Sequence, residues 1–172
     1  SGSGALVLNN KISYLIPKGS GGGQEFGLRG GTENLLGIVS FGECASIIKD
    51  MADERNRIKE LIKLLEDNLS SLGANIFGYN VKRLPNTSLF SFEDFKAESL
   101  LMRLDLAGFS VSSGSACSSG KVKESHVLKA MNISESMQKG AIRVSLGWGS
   151  SKEQVESFIS FFENIFNKKV KE

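Results

Sequence analysis

Histidine occurs once in the 172 residues, tryptophan once, and cysteine and proline twice each. One histidine and two widely separated cysteines cannot readily assemble a four-ligand zinc site, so no metal is expected. Two cysteines also make no disulfide framework. Ser1-Gly2-Ser3-Gly4 has neither the basic start nor the apolar stretch of a secretory leader, so a reducing, cytoplasmic setting is expected. No apolar run approaches the ~20 residues that cross a bilayer, so no membrane role is expected. Neither sign of charge is in excess. The 21 Lys and Arg are dispersed among 19 Asp and Glu, as in Asp53-Glu54-Arg55-Asn56-Arg57-Ile58-Lys59-Glu60, and no basic face for nucleic acid stands out.

Glycine (19 residues) and phenylalanine (11) are what the chain has in quantity. Gly4 to Leu8 form a short β-favouring run with no polar lead-in, as the last strand of a sheet would, and the natural protein is expected to start further upstream. The stretch Lys18-Gly-Ser-Gly-Gly-Gly-Gln-Glu-Phe-Gly-Leu-Arg-Gly-Gly-Thr32 must be a loop, because most of its residues supply no packing. From Asn34 to Leu72 apolar residues recur at helical spacing (Leu35, Ile38, Val39; Ile47, Ile48, Met51; Ile58, Leu61, Ile62, Leu65, Leu69). The spacing predicts one long helix or two in tandem, ended by Gly73. Strands are predicted over Ala74 to Phe77, Thr87 to Phe92, Phe109 to Ser112 and Ala141 to Leu146. Helices are predicted over Lys96 to Leu106, closed by Gly108, and after Ser125 through Val127, Leu128 and Met131. Ser151-Lys-Glu-Gln154 resembles a capping box that opens a last helix burying Val155, Phe158, Ile159, Phe162, Ile165 and Phe166. The expected class is α+β, a small sheet with helices packed on one face.

Cys117 lies in the loop Ser112-Ser-Gly-Ser-Ala-Cys-Ser-Ser-Gly120, whose small residues expose a sulfur to solvent and backbone amides. A reactive thiol and a buried small hydrophobe both remain open readings of it. Cys44, at helical spacing among apolar neighbours, reads as core or semi-core. His126 starts a helix and reads as an ordinary surface or half-buried residue rather than the partner of a Cys-His couple. The Gly-rich loop, with Arg29 and Thr32 close to a helix start, offers amides, a guanidinium and a hydroxyl to a phosphate or carboxylate, yet fits neither the Walker nor the dinucleotide spacing. Arg143 stands alone in the apolar strand Ala141 to Leu146, either gripping an anion in bidentate fashion or facing solvent.

Three segments together resemble one family. Gly21-Gly-Gly-Gln-Glu-Phe-Gly-Leu-Arg-Gly-Gly-Thr-Glu-Asn34, Val111-Ser-Ser-Gly-Ser-Ala-Cys-Ser-Ser119 and Ile142-Arg-Val-Ser-Leu-Gly147 are similar, in order and spacing, to the C-terminal part of cysteine desulfurases of the iron-sulfur-cluster type. These are class V aminotransferase relatives, and the loop after Val111 looks like the long mobile-loop class. The resemblance implies a fold-type I pyridoxal 5'-phosphate enzyme acting on L-cysteine, as a homodimer, and handing sulfur to an acceptor or scaffold protein. It implies that Cys117 attacks the sulfur of the substrate-cofactor adduct and keeps it as a persulfide, and that Arg143 grips the substrate carboxylate. Thr32 would reach the cofactor phosphate of the other subunit.

Residues 1–32 would then be the tail of the large cofactor domain, 33–72 the connecting helix or helices, and 73–172 the small C-terminal domain. The family's cofactor lysine lies upstream of the Gly-Ala-Leu strand and has no counterpart in this chain, Lys11 and Lys18 included, so the chain alone is expected to be inactive. Competing readings are a selenocysteine lyase or class V aminotransferase fragment, and a non-catalytic carrier or scaffold interaction domain.

Overall fold

The computed structural model describes residues 2–9, 21–48, 51–93, 95–114 and 125–169. They divide into two units, Ser1–Ala52 and Asp53–Glu172.

In the first unit the Gly-rich stretch is a closed loop. A Cβ on Gly21 would lie 2.4 Å from the Gly30 Cα, and one on Gly30 would lie 2.5 Å from the Gly21 Cα, so only glycine lets the two strands of the loop's neck touch. At its tip Glu25, Phe26 and Gly27 are all left-handed (φ +49°, +56° and +80°), an unfavourable state for the two that carry side chains. Helix α1, Leu35–Ile48, follows. Asn34 caps it: its Oδ1 accepts from Gly37 N at 3.1 Å. Gly37 is the buried residue of this helix, and a Cβ there would meet Ser3 Oγ at 2.4 Å. The strand expected over Gly4 to Leu8 is not formed. A strand exists by its ladder of hydrogen bonds, and the described part of this unit offers none; Leu6 and Val7 are exposed. Cys44, expected in a core, is exposed too. Leu36, Val39 and Phe41 of helix α1 are exposed with it.

The second unit is built on a four-stranded antiparallel sheet, β1 (Asn75–Ile76), β2 (Thr87–Ser91), β3 (Ser112–Ser113) and β4 (Ile142–Ser145), in the order β1-β2-β4-β3. In an antiparallel pair, directly opposed residues share a face. The register Ser88↔Val144 and Phe90↔Ile142 therefore puts these four on one face, and Thr87↔Ser145 and Leu89↔Arg143 on the other. Helices α2 (Ala52–Ser71), α3 (Ala97–Leu106) and α6 (Lys152–Lys169) cover the first face. The tandem reading of 34–72 is the one formed, as α1 and α2.

Phenylalanine dominates this core. Phe162 contacts Phe90, Phe92, Phe158 and Phe161, with ring centroids 5.2 to 5.8 Å apart. Short helices α4 (His126–Ala130) and α5 (Glu135–Lys139) make a second cluster, Phe77, Leu128 and Ala141 with Leu89, Ile133 and Met137.

The expected terminators are present. Gly73 and Gly108 are left-handed after α2 and α3 (φ +91° and +84°). Ser125 Oγ accepts from Leu128 N at 3.4 Å. Both legs of the capping box exist: Ser151 N donates to Gln154 Oε1 (3.0 Å) and Gln154 N to Ser151 Oγ (3.3 Å). The strand predicted over Phe109 to Ser112 forms later, at Ser112–Ser113, where residues oppose β4; Phe109 instead packs on Phe158 and Phe161. Because Phe162 is 1% exposed at the centre of the ring cluster, Phe162→Ala should cost about 3–5 kcal/mol of unfolding free energy. Urea unfolding followed by circular dichroism measures it, and a cost below about 1 kcal/mol would mean that the rings do not hold this core.

Candidate active site

Arg143 sits on β4 with Ile142 and Val144 buried on either side of it in sequence, while its own side chain is exposed. Strand alternation alone accounts for this: a residue between two core-facing neighbours must point to the opposite face. That face is lined at Arg143 by Leu89 of β2 and Ser112 of β3, its two register partners. The sequence left open whether the charge is buried against an anion or solvated. The described residues give it an open face, the position from which a guanidinium can receive a carboxylate from outside.

Strand β3 leads into the segment that contains Cys117, and Cys117 itself lies outside the described residues. Its approach is fixed. Gly114 N donates to Ala141 O at 2.8 Å, and a Cβ on Gly114 would lie 2.7 Å from the Ala141 Cβ and 3.2 Å from Leu89 Cδ1. On the far side the chain re-enters through the Ser125 cap of α4, whose first residue, His126, is exposed. The strand that feeds the Cys117 segment is thus hydrogen-bonded beside the strand that carries Arg143. Thr32 belongs to the first unit, where it is exposed just ahead of the Asn34 cap. A hydroxyl at the entrance of an N-capped helix of 14 residues, after a glycine-rich loop, suits a phosphate.

Two positioning residues were not singled out from the sequence. Gly114 is required by the close approach to Ala141, and only the density of small residues around it hinted at that. In the sequence Arg57 stood only as one of the basic residues dispersed among acids. Its guanidinium binds Glu54 through two nitrogens (2.8 and 2.6 Å) and donates to the carbonyls of Ser150 (2.6 Å) and Trp148 (3.0 Å), tying α2 to the turn that follows β4. The Arg57 hydrogen bond holds the Glu54 carboxyl below the ordinary carboxylate range. With the folded value depressed, this clamp is fully present above the unfolded value and opens as pH falls through the folded one.

The family model for class V aminotransferases matches residues 14–158. The chain belongs to the class V aminotransferase family. It is 39% identical, over 97% of its length, to the cysteine desulfurase IscS of Dictyoglomus turgidum, and covers 43% of that protein. Among solved structures it resembles a NifS-like protein from Rickettsia africae, with a TM-score of 0.76, 37% identity, and coverage of 90% of this chain and 41% of the other. It also resembles SspA in complex with cysteine, with a TM-score of 0.50, 28% identity, and coverage of 77% and 35%. The chain thus spans about two fifths of the length of the curated relatives it matches. The small antiparallel sheet with packed helices agrees with the fold expected for a member of this family.

Exposure of Cys44 has a direct chemical consequence, since a thiol that solvent reaches is open to alkylation. Native chain treated with excess iodoacetamide should be modified at Cys44 without denaturant, as peptide mass spectrometry would show. Modification only after unfolding would place Cys44 back in a core.

Proposed function

We propose that this chain is the C-terminal part of a pyridoxal-phosphate-dependent cysteine desulfurase. The whole enzyme takes L-cysteine to L-alanine and leaves the sulfur as a persulfide on Cys117, for iron-sulfur cluster assembly or other sulfur transfer to an acceptor or scaffold protein. The observation that carries this reading is the pairing of β3 with β4 at Ser112↔Arg143, which sets the start of the Cys117 segment beside a guanidinium on an open face. The similarity to cysteine desulfurases over nearly the whole chain supports it.

The residues present fit the cofactor in chemistry. Thr32 and the amides of the Gly-rich loop would hold its phosphate, across a homodimer as the family resemblance has it, and the bound cofactor would supply the electron sink that carbon-sulfur cleavage needs. The remaining roles belong to the chain itself. Arg143 binds the substrate carboxylate through paired hydrogen bonds and so fixes the direction of the β-carbon and its sulfur. The Cys117 thiolate attacks that sulfur. The new S–S bond forms as the C–S bond breaks, the bonding pair stays with carbon, and a proton delivered to that carbon completes alanine. The product sulfur remains on the loop, from which an acceptor thiol can take it by a second exchange. None of the lysines of this chain matches the cofactor lysine of the family, so the chain by itself is proposed to be inactive.

Two measurements test this. In the full-length enzyme Arg143→Ala should lower kcat/KM for L-cysteine by about 2 kcal/mol or more, roughly thirtyfold, in an alanine-formation assay. Arg143→Lys should recover part of the loss, and unchanged kinetics would return Arg143 to a surface role. Second, this chain alone, mixed with pyridoxal phosphate and reduced with borohydride, should show only scattered labelling of surface lysines. Stoichiometric trapping at one lysine would contradict the proposed inactivity.

A further inference from the structure

The second unit carries a groove of about 380 Å³ between α2 and the connection from β1 to β2, and none of its lining residues belongs to the candidate active site. Arg83 is among its lining residues; its Nη2 pairs with Glu66 and its Nη1 donates to Thr87 O at 2.9 Å. Glu66 is 3% exposed. Its other oxygen, Oε1, is buried with no hydrogen-bond partner among the described residues. The connection exposes two apolar side chains along the groove, Val81 (63%) and Leu84 (73%). Around them stand Lys59, Lys63 and Lys82, all exposed, and none in an ion pair among the described residues. Glu66 and Arg83 neutralise one another, so the groove as a whole is positive.

We propose that this groove docks an acidic, leucine-bearing segment of a partner protein. Its carboxylates would lie over Lys59, Lys63 and Lys82, and an apolar side chain would lie against Val81 and Leu84. One feature favours a peptide over a nucleic acid. The groove exposes aliphatic carbon, which a phosphodiester backbone does not use. This surface is independent of the desulfurase reading, because it uses neither Cys117, Arg143 nor Thr32.

The test uses the full-length protein and a fluorescein-labelled synthetic peptide of glutamates and aspartates with two leucines, followed by anisotropy. Saturable binding that weakens with added salt is expected. Combined replacement of Lys59, Lys63 and Lys82 by Ala should weaken it roughly tenfold, the sum of three exposed ion pairs. Leu84→Ser should also weaken it, with alanine formation from L-cysteine unchanged in every variant. Single Lys→Gln replacements, read separately, keep the test valid should the triple variant misfold. Any of four results would overturn the proposal: no saturable binding, equal binding by the lysine variants, equal binding of an acidic peptide without leucine, or equally tight binding of a single-stranded oligonucleotide.

Discussion

Strand alternation along β4 is the constraint on which the second unit depends. Ile142 and Val144 go into a core shared by α2, α3 and α6, and this forces Arg143 and Ser145 onto the other face. The partition cannot slip. A shift of register by one residue would bury the guanidinium among phenylalanine rings and expose two aliphatic side chains, at a cost of several kcal/mol for the uncompensated charge. The ring cluster around Phe162 therefore fixes the place of Arg143 although it never touches it. Arg57 reinforces the same strand from its end by holding the carbonyls of the following turn.

Among the described residues of the first unit, backbone geometry sets the local structure. The Gly21–Gly30 contact and three successive left-handed residues shape the loop, and Asn34 starts α1 from it. Apolar side chains on α1 are exposed. Cys44 shares that exposure. Its helical spacing among apolar residues identified an apolar helix, and an apolar helix becomes a core helix only where something packs on it.

Much of the second unit was legible in the sequence because its signals are local. The α6 capping box, the Ser125 cap and the C-terminal glycines of α2 and α3 each act within a few residues, and each is found where the pattern placed it. Less legible were features decided by distant partners. The extent of β3 is set by where β4 lies opposite it, the absence of a strand over Gly4 to Leu8 by the lack of a ladder partner among the described residues, and α5 by a cluster that brings Met137 to Phe77. The environment of Arg143 was not legible in the sequence. A lone arginine in an apolar strand admits two environments in sequence, and only the register with Leu89 and Ser112 chooses the open face.

The central claim, that Cys117 carries the sulfur, is tested most directly by the location of that atom. Full-length enzyme incubated with L-cysteine, alkylated at once and digested, should show one additional sulfur on the Cys117 peptide and none on the Cys44 peptide by mass spectrometry. Alanine released with the extra sulfur on Cys44, or on neither cysteine, would contradict it.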